Sequence, residues 1–120
     1  MIERFEAENF AREWIQAWNS HDLEAVLAHY SEHVVFYSPF VARLLGNETG
    51  CIRGKASLRE YFVKAFAAYP DLHFELHGCF SGQGSLVLQY RSVQGREAAE
   101  LLLLDADGRV REARAHYDRT

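Results

Sequence analysis

The sequence predicts a single α+β domain in which helices pack on one face of an antiparallel sheet. Three observations carry this prediction. Apolar residues recur at helical spacing in the first third of the chain and again over residues 56–69. Four stretches with strand-like patterns, separated by short turns, fill residues 72–117. The length of 120 residues suits one domain, spanning 1–120.

Three helices are predicted in the N-terminal half. The first spans residues 3–19, where the apolar positions form one stripe. The second spans 23–30, with Asp22 as a plausible N-cap because its side chain can accept a bond from a free backbone N–H. The third spans 56–69 and is expected to end at Pro70.

The remaining segments are predicted as strands and turns. The β-branched and aromatic run at 33–37 is a strand, 40–50 is a loop with local structure, and 51–53 is a short strand. Alternation in the next strand predicts one apolar face made of Leu72, Phe74, Leu76 and Phe80. The four C-terminal strands are predicted at 72–80, 85–93, 97–104 and 109–117.

The third of these four strands is apolar on both faces over residues 98–104. A strand that is apolar on both sides needs cover on its outer face in a two-layer domain. The simplest cover is a second copy of the same sheet, so the sequence predicts a homodimer through the open sheet face.

Glu100 is the polar exception in this apolar run. Burial of an ionised carboxylate is costly, so Glu100 is expected to be paired, protonated or in a wet cavity. Desolvation would raise its pKa toward neutrality, which suits a proton donor or acceptor. The alternative is a structural glutamate paired with Arg96 or Arg114.

Composition excludes several classes of function. The chain has 13 Lys and Arg against 17 Asp and Glu, a formal charge of −4, which argues against a general nucleic-acid binder. No segment is apolar enough to cross a membrane, and no secretory signal is evident, so a cytoplasmic location is predicted. Cys51 and Cys79 are expected to be free thiols, and the six histidines show no metal-ligand spacing. No metal or cofactor is therefore expected.

Several segments resemble one known family. The stretch 14–32 (WIQAWNSHDLEAVLAHYSE), the run 36–40 (FYSPF), Arg53-Gly54-Lys55 and the DGRV at 107–110 are similar to the NTF2-like superfamily, in its SnoaL-like and ketosteroid-isomerase-like branch. This resemblance implies a cystatin-like cone: a curved antiparallel sheet wrapped around a long helix, with an apolar pocket inside. It also agrees with dimerisation through the convex sheet face.

The resemblance matches individual positions of this sequence to the catalytic residues of its relatives. The catalytic base of ketosteroid isomerases, an Asp, is replaced here by Ser38, and their helical oxyanion tyrosine by Trp14. Their second oxyanion donor, a protonated Asp, matches Glu100, and an aromatic near the end of the last strand matches Tyr117. In SnoaL-like cyclases the acid/base Asp matches Ala115, and an assisting His again matches Glu100.

The candidate catalytic residues are therefore Glu100, Tyr117 and Ser38. Ser38 alone is too weak a base to remove a proton from carbon. Large residues on the first helix imply a small pocket for a small apolar or aromatic molecule. The expected pocket residues are Trp14, Trp18, Phe36, Tyr37, Phe62, Phe66, Leu88 and Tyr90.

Three functions stay open on the sequence. The first is a cofactor-free isomerase, cyclase or dehydratase that transfers a proton next to a carbonyl, with Glu100 as acid/base or as a protonated hydrogen-bond donor. The second is a non-catalytic protein that binds a small apolar metabolite in the same pocket. The third is a dimeric interaction module whose pocket is filled by its own aromatic side chains.

Overall fold

A six-stranded sheet curves around the long N-terminal helix. The computed structural model describes residues 2–120. The helices are α1 (Arg4–Asn19), α2 (Leu23–Leu27), α3 (Pro39–Leu45) and α4 (Lys55–Ala68). The strands are β1 (Tyr30–Tyr37), β2 (Cys51–Arg53), β3 (Glu75–Gly82), β4 (Ser85–Arg91), β5 (Glu97–Leu104) and β6 (Val110–Tyr117).

The strand order in the sheet is β2-β1-β6-β5-β4-β3. All neighbours pair antiparallel except β1 and β6, which are parallel. The four C-terminal strands form the predicted meander because their turns are too short for any other connection. The first two strands then extend the meander at the β6 edge, which gives an open α+β cone with the helices on the concave face.

Two local predictions in the N-terminal half are wrong. Tyr30 begins β1 instead of ending the second helix, which closes at Leu27. Residues predicted as a loop contain α3, so the structure has four helices. The Ser38 side chain accepts a hydrogen bond from the Phe40 backbone N–H, and Pro39 occupies the first turn, where its missing N–H costs nothing.

The predicted apolar face of β3 is wrong beyond Leu76. The register of β3 against β4 shifts between Leu76 and Gly78, which marks a β-bulge. Because an extra residue inverts the alternation, Cys79 packs against the core and Phe80 lies on the outer face with 60 % of its surface exposed.

The hydrophobic core lies between α1, α4 and the concave sheet face. Its largest fully buried side chains include Trp14, Phe62, Tyr30 and Tyr90. Among residues 2–120 no helix combines the length and the apolar character needed to cross a membrane.

Asn19 links the end of α1 to the start of the meander through two hydrogen bonds. Its amide nitrogen donates to the Phe74 carbonyl at 2.9 Å, and its amide oxygen accepts from the Phe74 backbone N–H at 2.6 Å. This pair of bonds replaces a strand partner for Phe74, which precedes β3, and holds the aromatic ring against Trp14 and Trp18.

Asn19→Ala is expected to lower the free energy of unfolding by about 1–3 kcal/mol, because two partly buried backbone groups lose their partner. Urea denaturation measures the change. Asn9→Ala, at an exposed position of the same helix, is the control and is expected to change stability by less than about 0.5 kcal/mol. Equal effects of both substitutions would contradict the role given to Asn19.

Candidate functional site

A cavity of about 50 Å³ lies between α1, α4 and the concave face of the sheet. By volume it accommodates a few water molecules and is mostly apolar. Its walls include Trp14 and Trp18 from α1, Phe62 from α4, and Tyr90, Glu100 and Tyr117 from the sheet.

Glu100 is the acidic residue of this cavity and is only 3 % exposed. Alternation along β5 places it on the concave face with Ala98 and Leu102, both buried. The Tyr90 hydroxyl on neighbouring β4 donates to Glu100 Oε1 at 2.7 Å. In the described part of the chain no side chain donates to Oε2, so this oxygen is available to a ligand.

Burial raises the pKa of Glu100 from 4.5 to about 7. Desolvation is the main cause, since an ionised carboxylate loses its water on this apolar face. The hydrogen bond from Tyr90 opposes the rise by stabilising the ionised form. A carboxyl group with a pKa near neutrality can both accept and release a proton under physiological conditions.

Tyrosine hydroxyls surround this carboxyl group. Burial, and after it the negative charge of Glu100, raises the pKa of Tyr90 and of Tyr117 well above the usual range. Both hydroxyls therefore keep their protons at neutral pH and can donate hydrogen bonds to an oxygen atom in the cavity.

Ser38 lies at the edge of this cluster of tyrosine hydroxyls and is 4 % exposed. Its hydroxyl interacts with those of Tyr61 and Tyr117 and lowers the pKa of both, although burial raises each pKa more. Ser38 also caps α3. It does not itself line the cavity, so its contact with the site runs through Tyr117 and Tyr61.

Trp14 and Tyr30 form a second buried hydrogen bond. The Trp14 Nε1–H donates to the Tyr30 hydroxyl at 3.0 Å. Trp14 thus occupies the helix position where the resemblance expected an oxyanion donor, but its single donor is already used. The Tyr30 hydroxyl and Tyr61 were not predicted from the sequence. Tyr61 precedes the predicted Phe62 on α4, and both rings are buried and line the cavity.

Five of the eight expected pocket residues line the cavity: Trp14, Trp18, Phe36, Phe62 and Tyr90. The other three lie elsewhere. Leu88 is fully buried in the core, and Phe66 packs against Trp18 and His21 outside the cavity wall. Tyr37 is on the outer sheet face because its neighbour Phe36 points inward, and the Arg114 guanidinium lies 4.0 Å from the centre of its ring.

The alternative partners for Glu100 do not reach it. Arg114 is on the outer face and bonds through Nε to Glu112 at 2.9 Å. Arg96 lies at the rim and forms no ion pair with Glu100. One of the six histidines, His77, is hydrogen-bonded to Glu97 at 2.8 Å. Among residues 2–120 no three His, Cys, Asp or Glu side chains are grouped as metal ligands.

Residues 11–116 match the SnoaL-like domain. The chain belongs to the SnoaL-like family. A SnoaL-like protein of unknown function from Burkholderia thailandensis is 40 % identical, with a TM-score of 0.93 and 97 % of each chain covered. No curated protein matches the sequence significantly.

More distant solved structures share the fold. A candidate isomerase of the SnoaL-like family from Agrobacterium tumefaciens is 16 % identical with a TM-score of 0.74, covering 93 % of this chain and 97 % of that one. SalBIII, an epoxide hydrolase/cyclase-like enzyme of pyran ring formation in salinomycin, is 17 % identical with a TM-score of 0.75, covering 99 % and 95 %. The architecture is thus the NTF2-like, or cystatin-like, fold expected from the sequence.

The raised pKa of Glu100 predicts a pH dependence of stability. The folded protein holds this proton up to about pH 7, whereas the unfolded chain releases it near pH 4.5. The stabilisation is therefore complete below pH 4.5 and is lost as pH rises to 7. At ~1.4 kcal/mol per pKa unit, the loss is about 3 kcal/mol.

Glu100→Gln is expected to remove this slope, because glutamine stays neutral in both states. Urea denaturation at pH 5, 6, 7 and 8 measures the slope for each protein. Glu60→Gln, an exposed substitution on α4, serves as the control and is expected to keep the wild-type slope. A Glu100→Gln protein with an unchanged slope would show that Glu100 is already ionised at pH 5.

Proposed function

We propose that this protein is a cofactor-free enzyme that moves a proton at a carbon next to a carbonyl group, with Glu100 as the general base. The observation that carries the proposal is a carboxyl group with a pKa of about 7 that lines an apolar cavity with one oxygen free. A base with this pKa is half ionised at neutral pH, where general-base catalysis is efficient.

In the proposed reaction, Glu100 takes the proton from the carbon atom, and the electron pair of the C–H bond moves onto the carbonyl oxygen to give an enolate. The Tyr117 hydroxyl donates a hydrogen bond to that oxygen, while Tyr90 holds Glu100 in position. Donors fixed in a water-poor site stabilise such developing charge without having to reorganise. When the substrate is a β,γ-unsaturated ketone, the enolate is a dienolate, and Glu100 returns the proton to its γ-carbon, which moves the carbon–carbon double bond into conjugation with the carbonyl group and completes an isomerisation.

The same enolate also serves ring closure or dehydration. Attack of its carbon on a second carbonyl gives a cyclised product, and expulsion of hydroxide from the β-carbon gives an unsaturated one. The isomerase description of the structurally similar Agrobacterium protein is consistent with this reaction class.

The site departs from the family patterns at Ser38 and Ala115, where relatives place an acid. Glu100 would therefore perform both the removal and the return of the proton, which a single carboxyl group can do when the two carbons are close together. The apolar aromatic walls and the volume of about 50 Å³ favour a small apolar or aromatic ketone as the ligand.

Exchange of hydrogen for deuterium next to a ketone tests the proposal without the natural substrate. Cyclohexanone, cyclohexenone and acetophenone are incubated with the protein in D₂O, and NMR follows the exchange. The wild type is expected to accelerate exchange of at least one ketone, and Glu100→Gln to reduce that acceleration by about 10²–10⁴-fold.

The exchange rate is expected to rise as pH increases through about 7, because the ionised carboxylate is the base. A rate that falls over the same range would instead make Glu100 a protonated hydrogen-bond donor. Exposed Glu60→Gln is the control and should exchange at the wild-type rate. If Glu100→Gln and Glu60→Gln give equal rates, Glu100 is not the base.

Ser38 favours a second candidate, a binding protein without turnover. Its hydroxyl caps α3 where ketosteroid-isomerase relatives carry their base, which gives this serine a structural task. If the protein only binds its ligand, the Glu100→Gln variant would bind ketones with the affinity of the wild type, and neither protein would accelerate hydrogen–deuterium exchange. Ketone affinity and exchange rate therefore separate the two functions.

We also propose that the protein forms a homodimer through the outer sheet face. Phe80, Val87 and Leu101 are paired across β3, β4 and β5 and form a row of partly exposed apolar side chains, with Leu103 beside it. A contiguous apolar patch of this kind is typical of protein interfaces. A second copy of the same sheet would cover it.

Sedimentation is expected to give twice the chain mass of 13.8 kDa. Leu101→Lys should shift the species to the monomer, because it places a charge in the centre of the row. Val63→Lys, at an exposed apolar position on α4, is the matched control and should leave the mass unchanged. A monomeric wild type at micromolar concentration would exclude the dimer.

A further inference from the structure

Arg96 is a buried cation at the cavity rim without a negatively charged partner. It is 7 % exposed, and within residues 2–120 no carboxylate forms an ion pair with it. Its Nε–H has no hydrogen-bond acceptor. Nη1 reaches only the Val93 carbonyl at 3.5 Å, which is at the limit of a hydrogen bond.

A guanidinium group in this environment is costly. Burial removes its water, and the Phe40 ring, whose centre lies 4.8 Å from the guanidinium carbon, returns only part of the lost free energy. Buried charges are normally paired or hydrogen-bonded, so the missing partner at Arg96 requires an explanation.

Arg96 belongs to the same face as the candidate base. Residues 96, 98 and 100 alternate onto the concave side of the sheet, where all three are buried. The two groups that contact the guanidinium, Phe40 and Val93, both line the cavity. Arg96 does not itself line the cavity but lies directly against these two wall residues, whereas Glu100 lines the cavity.

Trp18 provides an independent sign of what the cavity binds. Its buried Nε1–H has no acceptor, and its ring lines the cavity wall. Trp14, one helical turn earlier, has the same group paired with Tyr30. Among the described residues, the two buried side-chain nitrogen atoms without a partner thus belong to Trp18, which lines the cavity, and to Arg96, which packs against residues that line it. Both are donors, which points to a ligand with oxygen acceptors.

We infer that the ligand carries a carboxylate that pairs with Arg96, so that the substrate is a keto acid with an apolar or aromatic body. Arginine is suited to this task because its planar fork binds a carboxylate through two parallel hydrogen bonds. The inference rests on the proposed function for the position of the ketone beside Glu100, but not for the binding of the acid.

The spacing along β5 limits the shape of this acid. Arg96 and Glu100 are four positions apart in extended chain, which places their Cα atoms about 13 Å apart. A 2-oxo acid places its carboxylate directly on the ketone and is too short, so several bonds must separate the two groups. Tyr69, Leu72, Ser92 and Val93 also border an adjoining groove of about 420 Å³, which leaves room for a larger body.

Three phenyl keto acids of increasing length test the inference: 4-oxo-4-phenylbutanoate, 5-oxo-5-phenylpentanoate and 6-oxo-6-phenylhexanoate. Each is compared with its neutral primary amide, with titration calorimetry as the measurement. Wild-type protein is expected to bind at least one acid about tenfold or more tightly than its amide. A wild type that binds none of the acids, or shows no preference for them, overturns the inference.

Arg96→Met is expected to abolish the preference by weakening acid binding while amide binding stays the same. Arg43→Met is the matched control, because Arg43 is an exposed arginine whose guanidinium lies 5.1 Å from the centre of the same Phe40 ring. It should keep the preference. Loss of the preference in both variants to the same degree would assign it to general charge at the rim and contradict a specific pairing.

Thermal unfolding without ligand separates binding from a structural role. Arg96→Met removes an unpaired buried charge and is expected to raise Tm by about 3 °C or leave it unchanged. A lower Tm together with an unchanged acid preference would make Arg96 a structural residue and overturn the inference. Arg96→Lys, which keeps the charge but not the fork, should retain a reduced preference and provides a second folded variant.

Glu100→Gln distinguishes the two proposals. This variant should lose ketone exchange and keep its preference for acids. If no ketone exchanges in the wild type but Arg96 still controls acid binding, the proposed reaction fails and the inference stands. If exchange depends on Glu100 but Arg96→Met keeps the acid preference, the reaction stands and the inference fails.

Discussion

The packing of Trp14 against the concave sheet face is the contact on which the rest of the site depends. Its ring lies 5.2 Å from Tyr90 and 5.9 Å from Phe74, between centroids, and its nitrogen is bonded to Tyr30. These contacts bring α1 close to the sheet and exclude water from the space between them. Dehydration of that space is what moves the pKa of Glu100 toward neutrality.

The protonation states of the polar groups in this space depend on one another. Glu100 accepts a hydrogen bond from Tyr90, and the neighbouring Tyr117 remains protonated because burial and the nearby carboxyl group both raise its pKa. A proton acceptor and a proton-bearing donor therefore coexist within one apolar pocket. Arg96 adds a positive charge beside the cavity wall, at the residue before the strand that carries Glu100, and the apolar walls separate these two groups.

The site differs from those implied by the resemblance mainly in the number of acids. Ser38 is used to begin α3, and Ala115 is a small buried residue opposite Glu100 in the pairing of β5 and β6. In the proposed reaction Glu100 would act alone. Desolvation raises its pKa to about 7 and the hydrogen bond from Tyr90 opposes the rise, which leaves the pKa in the range that proton transfer at neutral pH requires.

The sequence by itself determined the α+β class, the meander and the burial of Glu100, because period-two and helical patterns report directly which residues face a core. It also placed Trp14 and Tyr90 correctly, and alternation from Phe36 would have excluded Tyr37 from the pocket. It did not determine that β1 pairs parallel with β6, since pairing between distant segments has no local signal.

Tertiary structure alone decided three further features. The bulge at residues 76–78 exposes Phe80, and a single extra residue in a strand leaves no mark in the hydrophobic pattern. The packing of α4 against the sheet buries Tyr61 and brings its hydroxyl close to Ser38. Arg96 is a buried and unpaired cation because the turn before β5 places it against Phe40. The sequence alone left Arg96 open as the ion-pair partner of Glu100. Hydrogen-bond partners and desolvation depend on what lies across the cavity, and that is fixed only when the chain is folded.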